Sequence, residues 1–189
     1  MGGISGERSR RRRPSAQAAA AAIAPLLIAV LAAWGGMRPA AAVGLCYVAA
    51  VTVPLWRADA DERRLPDRLV IPGFAFAAVG CAWDALSGGS AWWAAPAGTV
   101  VIALFFAALE LSGGVGMGDV KLAALLAACL VPAAGTASPA LLAGFVAAAF
   151  VAAGCAAVAA TLHPAAEWGR TLPFGPFLLG SFWLAVALR

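Results

Sequence analysis

Seven runs of apolar residues, most of them long enough to cross a lipid bilayer, constrain this chain more than any other feature. A transmembrane helix needs about 20 apolar residues, with a range of about 17–25. Hydrophobic residues make up 63% of the 189 and charged residues only 12%, more apolar surface than a soluble domain can bury. We therefore predict an all-α polytopic membrane bundle of about seven transmembrane helices (six to eight). The predicted spans are 18–34, 39–56, 68–86, 91–111, 119–132, 140–162 and 172–188. The fifth is short, so we expect it to be tilted, extended or partly buried in protein.

The distribution of Lys and Arg predicts the orientation of these spans. With the amino terminus in the cytoplasm, eleven of the 13 basic residues fall in inner segments and only Arg38 and Arg189 fall in outer ones. Cytoplasmic loops carry this excess of positive charge, so we predict a cytoplasmic amino terminus and a multi-pass protein of the inner (cytoplasmic) membrane. Residues 1–17 form a basic cytoplasmic tail, and residues 18–189 form the membrane domain. A cleavable secretory signal is the alternative, but the first run is long enough to span and stay uncleaved.

The pI near 9.3 does not indicate a nucleic-acid partner. The basic residues lie in loops and the amino-terminal tail rather than in a stripe beside stacking aromatic residues. The expected contact of the tail is with anionic membrane lipid.

The segment Gly-Met-Gly-Asp-Val-Lys-Leu at 116–122 places an acid at the mouth of an apolar helix. A charged group near hydrocarbon is costly and is a functional-site hypothesis by default. Gly116 and Gly118 lack side chains, which lets another backbone approach the carboxylate of Asp119. This segment is therefore a candidate substrate-binding and catalytic site.

A second acidic stretch, residues 57–67, lies on the same predicted cytoplasmic side. From the residues alone, its four acids are all candidate partners of Asp119, and any of them is also explained as a solvated loop charge paired with a nearby arginine. Pro66 and Asp67 suit the first turn of a helix, where the acid satisfies free N–H groups. Lys121 is predicted to face away from Asp119, since two residues along a helix turn about 200°. Its expected place is the lipid interface or a contact with a neighbouring helix.

The four cysteines predict neither a metal nor a cofactor. They lie within predicted spans and form no Cys-x-x-Cys pair, whereas a zinc site needs clustered ligands at short spacing. They are expected to pack as small apolar side chains. The cysteines are Cys46, Cys81, Cys129 and Cys155.

Three blocks of this sequence resemble the prepilin peptidase family of integral-membrane aspartic proteases. They are Asp59-x6-Pro66-Asp67, the 116–122 segment, and Leu-Pro-Phe-Gly-Pro-Phe-Leu at 172–178. The resemblance covers roughly residue 51 to the carboxyl terminus. It implies that Asp59 and Asp119 form the catalytic pair, because the family register places the upstream acid eight residues before the Pro-Asp aspartate. The third block is expected to shape a substrate groove or simply to kink the chain at the interface.

The resemblance implies an endopeptidase that removes the leader of type IV-like prepilins or pseudopilins at the cytoplasmic membrane face. The implied substrate carries a short basic leader, a glycine before the cut, and an apolar helix that stays in the membrane. Pilus or secretion assembly machinery is a further implied partner. Larger members carry a cytoplasmic domain with two Cys-x-x-Cys pairs, which this chain lacks. We therefore expect a compact peptidase-only form without N-methyltransferase activity.

Two other classes remain for comparison. The first is a non-proteolytic membrane protein, either a proton-coupled transporter or an inactive relative of the family. A transporter would place ionisable groups deep in several spans. Here only Asp84 and Glu110 come near, both close to span ends. Proteases of the presenilin type share Gly-x-Gly-Asp but also carry a Tyr-Asp pair, and the single tyrosine, Tyr47, precedes a valine.

Overall fold

A computed structural model describes residues 39–88, 92–135, 138–162 and 173–189. The predicted tail (1–17) and first span (18–34) lie outside these residues. Within the described ranges the chain is all-helical, as predicted, and contains no strand. Every helix bound except the end of α1 agrees with the predicted spans to within three residues. The helices are α1 (Pro39–Glu62), α2 (Asp67–Leu86), α3 (Ala94–Leu111), α4 (Met117–Ala134), α5 (Ser138–Leu162) and α6 (Gly175–Leu188).

Five of the described helices, α1 to α5, are long and apolar enough to cross a membrane. The described chain therefore has the helices of a multi-pass membrane protein. Helix α6 has 14 residues, which is about 21 Å at 1.5 Å per residue. The hydrocarbon core is about 30 Å thick, so the described part of α6 is shorter than a full crossing. The count of about seven crossings and the side of the amino terminus stay predictions.

Helix α4 is the central helix of the bundle. It contacts α1, α2, α3, α5 and α6, and 11 of its 18 residues are buried. The predicted span, 119–132, was short, and we expected it to be tilted, extended or partly buried. The helix is longer than that span, at Met117–Ala134, and most of it is buried in protein. Close approach explains part of this burial, since a Cβ on Gly73 of α2 would lie 2.6 Å from a methyl of Leu125. Small residues at such contacts let membrane helices pack closely.

Helix α1 continues six residues beyond its predicted end at residue 56, and this corrects the position of Asp59. The acid lies on the last helical turn, not in a loop. Residues 57–62 are Arg, Ala, Asp and Glu, which are mostly tolerated well in helices. The helix ends where Arg63 takes a left-handed conformation (φ 53°), and Pro66 disfavours helix at the residue before it.

Three side-chain contacts hold α1 against its neighbours. The Tyr47 hydroxyl donates a 2.8 Å hydrogen bond to the carbonyl of Leu69 in α2, and its ring stacks on Phe76 with centroids 4.7 Å apart. The indole Nε1 of Trp183 in α6 donates to Thr52 Oγ1 at 3.1 Å. The first and middle parts of α1 are therefore held against both α2 and α6.

Candidate active site

One end of the bundle carries a polar cavity of about 590 Å³. The end of α1, the linker 63–66 and the starts of α2 and α4 form its walls. All four predicted site residues, Asp59, Asp119, Gly116 and Gly118, line it. The structure thus brings the two sequence segments together around one space.

Asp59 is nearly enclosed, with 6% of its surface exposed. Its Oδ2 accepts a 2.8 Å hydrogen bond from the backbone N–H of Gly175, at the start of α6. The first N–H groups of a helix have no partner within that helix, and the helix dipole favours negative charge there. The carboxylate at the end of α1 therefore accepts a hydrogen bond from an N–H at the start of α6 that has no partner within α6.

Gly175 is the site residue that the sequence did not identify. It belongs to the 172–178 block, for which a groove or a kink was predicted, and residue 172 lies outside the described residues. A Cβ at Gly175 would lie 2.7 Å from Asp59 Oδ2 and 3.1 Å from its Cγ. Only glycine leaves room for this carboxylate. A glycine directly before a proline at a helix start was the available signal, but its partner lies 116 residues away.

Asp119 is the third residue of α4 and is half-buried. Its Oδ1 is buried and has no hydrogen-bond partner among the described residues. The backbone of Gly116 hydrogen-bonds to this carboxyl group, and the charge of Asp59 acts on it. A buried polar atom without a partner is uncommon and costs about 1–3 kcal/mol. Such an atom beside a second carboxylate is suited to a site where a proton, a water or a substrate supplies the missing partner.

The two predicted glycines differ in their surroundings. A Cβ on Gly118 would lie 3.2 Å from Leu65 Cβ, so this glycine allows α4 to approach the linker. A Cβ on Gly116 would meet only Asp119 Oδ2, at 3.8 Å. Space beside the backbone therefore exists at Gly116, whereas Gly118 packs against protein.

Lys121 does not pair with Asp119. Its Nζ lies 2.8 and 2.9 Å from the two carboxylate oxygens of Asp67, which ties α4 to the start of α2. The predicted contact with a neighbouring helix is thereby confirmed. The partner that the structure shows for Asp67 is therefore Lys121 of α4, whereas the sequence offered a nearby arginine as one alternative.

Comparison with known proteins shows the family of this chain. The type IV leader peptidase family matches residues 45–159, more than half of the chain. The matched range contains Asp59 and Asp119 but ends before α6. No curated protein and no solved structure matches the sequence significantly. Together with the apolar helices, this match makes the chain a multi-pass membrane peptidase. It belongs to the type IV leader peptidase family.

Proposed function

We propose that this protein is an aspartic endopeptidase that removes the leader from a type IV-like prepilin or pseudopilin. The observation that carries the proposal is the placement of Asp59 and Asp119 around one cavity, with the charge of one acting on the other. Two carboxyl groups whose charges interact do not both ionise readily, so they hold one proton between them.

Such a pair supplies both halves of acid–base catalysis. The ionised carboxylate takes a proton from water as its oxygen attacks the scissile carbonyl carbon. The protonated carboxyl group donates its proton to the carbonyl oxygen or to the leaving nitrogen, and the C–N bond breaks. The two groups titrate jointly, so activity requires the pair to hold a single proton.

The charge around the cavity supports a cytoplasmic location for the site. Arg63, Arg64 and Lys121 line this end of the bundle, and positive residues favour the cytoplasmic side of a membrane protein. We therefore propose an inner-membrane protein with its amino terminus in the cytoplasm, about seven crossings, and a cut at the inner edge of the substrate helix. Space beside Gly116 would accept the extended segment at the cut, next to Asp119.

The proposed substrate is a membrane-anchored prepilin whose basic leader precedes a glycine and an apolar helix. Acidic groups at the cavity, Asp59 and Glu62 among them, would attract the leader. Pilus or secretion assembly machinery would then receive the trimmed product.

Co-expression with a prepilin tests the proposal through the mobility shift of the processed substrate. Asp59→Asn and Asp119→Asn are each expected to lower the cleavage rate at least about 100-fold, the lower range for removal of an acid or base. Asp61→Asn is the matched control, because Asp61 is exposed on the same helix. Wild-type processing by either Asn variant at the dyad would rule out the two-aspartate mechanism.

A further inference from the structure

The two aspartates differ in what their oxygens contact. Asp59 Oδ2 accepts the N–H of Gly175, whereas Asp119 Oδ1 is buried without a partner among the described residues. We propose that Gly175 is a positioning residue that keeps Asp59 ionised, so that Asp59 takes the proton from water and Asp119 holds and donates the shared proton. This assignment rests on the proposed function and extends it by giving each aspartate one role.

The contact at Asp59 favours its ionised form. A backbone N–H only donates, so it complements an oxygen that carries negative charge. The donor is also at the amino terminus of a 14-residue helix, where the dipole adds to the attraction. No side chain at position 175 intervenes, and the absence of a Cβ is what allows the 2.8 Å contact.

The surroundings of Asp119 favour its protonated form. Asp119 also lies in the first turn of a helix and receives a hydrogen bond from the backbone of Gly116, so one oxygen of each acid is stabilised. The difference lies in the second oxygen. Negative charge on Asp119 would fall partly on the buried Oδ1, to which no group among the described residues donates a hydrogen bond. A proton on Asp119 removes that charge and provides a hydrogen to donate.

The remaining charged groups at the cavity are the same in wild type and in every variant below. Asp67 and Lys121 pair with each other. Glu62 lies at the end of α1, and Arg63 and Arg64 lie in the linker, on the cavity wall. Helix α6 carries no charged side chain between its first and last residues. All of these groups stay unchanged in the variants below, so a difference between variants reports on position 175.

The proposed step balances with one water. The water oxygen bonds to the carbonyl carbon while its proton moves to Asp59. Asp119 gives its proton to the leaving nitrogen, the C–N bond breaks, and the products are a carboxylic acid and an amine. Proton transfer from Asp59 back to Asp119 then restores the starting state.

Replacing the amide at position 175 by an ester tests the role of the N–H without adding a Cβ. Glycolic acid in place of Gly175 removes the donor and keeps the space, and glycolic acid in place of Gly180 is the matched control on the same helix. A Cβ at Gly180 would meet nothing within 4 Å, so Gly180→Ala likewise controls for Gly175→Ala. Each full-length variant is purified, placed in nanodiscs and assayed on a prepilin for kcat, KM and their pH dependence.

Loss of the N–H at position 175 is expected to lower kcat about tenfold or more, with KM little changed, and to move the acidic limb of the pH profile up by about one pH unit. The direction follows because Asp59 without its donor holds a proton to higher pH. The Gly180 controls are expected to keep the wild-type limb.

An unshifted limb with wild-type kcat in the Gly175 ester would overturn the proposal, and so would a shift to lower pH. The ester decides the question if Gly175→Ala fails to fold. Failure of the proposed function gives a different result, since wild-type protein would then not cleave, or the Asp59→Asn and Asp119→Asn variants would remain active.

Discussion

Asp119→Asn is expected to make the protein more stable while it removes peptidase activity. Asp119 Oδ1 is buried and has no hydrogen-bond partner in the part of the chain that the structure describes, and the charge of Asp59 acts on the same carboxyl group. Asparagine nearly preserves the shape, carries no charge at any pH, and adds amide N–H groups that are hydrogen-bond donors. The substitution therefore relieves two unfavourable features at once.

The structure sets the size of this effect. One buried polar group without a partner costs about 1–3 kcal/mol. For a protein of this length a change of 1 kcal/mol moves the melting temperature by about 2–4 °C, so the expected rise in Tm is about 2–12 °C. The gain should grow as pH rises, because wild-type Asp59 and Asp119 are then both ionised and repel each other. It should shrink in acid, where Asp119 of the wild type is protonated.

Thermal melts in nanodiscs at one scan rate measure this difference directly. Asp61→Asn is the control, because Asp61 is exposed on the same helix as Asp59, and an exposed substitution changes stability by no more than about 0.5 kcal/mol. If Asp119→Asn melted below wild type while the control did not, Asp119 would be contributing to stability, and the unpartnered oxygen would not be a source of strain.

Two other predictions concern residues beside the dyad. Lys121→Met is expected to keep cleavage within about fivefold of wild type, since its pair with Asp67 is exposed and such pairs contribute about 0–1 kcal/mol; a loss as deep as that of Asp119→Asn in the same gel assay would give Lys121 a catalytic role. Gly118→Val is expected to lower both cleavage and Tm, because its first added carbon would already lie 3.2 Å from Leu65 Cβ. Adding Leu65→Ala removes the Leu65 Cδ1 and Cγ atoms, which would lie 3.4 and 3.7 Å from that carbon, and should restore part of both. Absence of any rescue would mean that the damage lies elsewhere; Gly144→Val, at a position where a Cβ would meet nothing within 4 Å among the described residues, is the control.

Much of the fold could be predicted because apolar runs in this chain end at glycines, prolines and charges. The predicted bounds of α2, α3 and α5 are correct to within three residues. Hydropathy does not show which helix is central, however. Helix α5 is more hydrophobic than α4, yet most of α5 faces outward while most of α4 is buried. Lipid is as apolar as a protein core, so the free energy of an apolar side chain differs little between the two environments.

The end of α1 was mispredicted for a related reason. Charged residues at 57–62 end the apolar run. They do not end the helix, because Ala, Arg and Glu have good helix propensity. A helix that leaves the apolar layer can continue in polar surroundings. The consequence for the site is geometric: Asp59 is held on a helical turn, within reach of Gly175 on α6.

Asp59 and Asp119 could be proposed as a pair from motif and topology, whereas Gly175 could not, and the difference is physical. An acid near hydrocarbon is conspicuous in a sequence because its burial is costly. A backbone N–H is present at every residue except proline, so its use as a donor leaves no mark on the residue type. The sequence shows only that position 175 is a glycine, and a glycine is explained equally well by a turn or a kink. The family match ends at residue 159, yet the contact to Asp59 comes from residue 175, so the candidate site extends beyond the matched segment and depends on α6 for the environment of one aspartate.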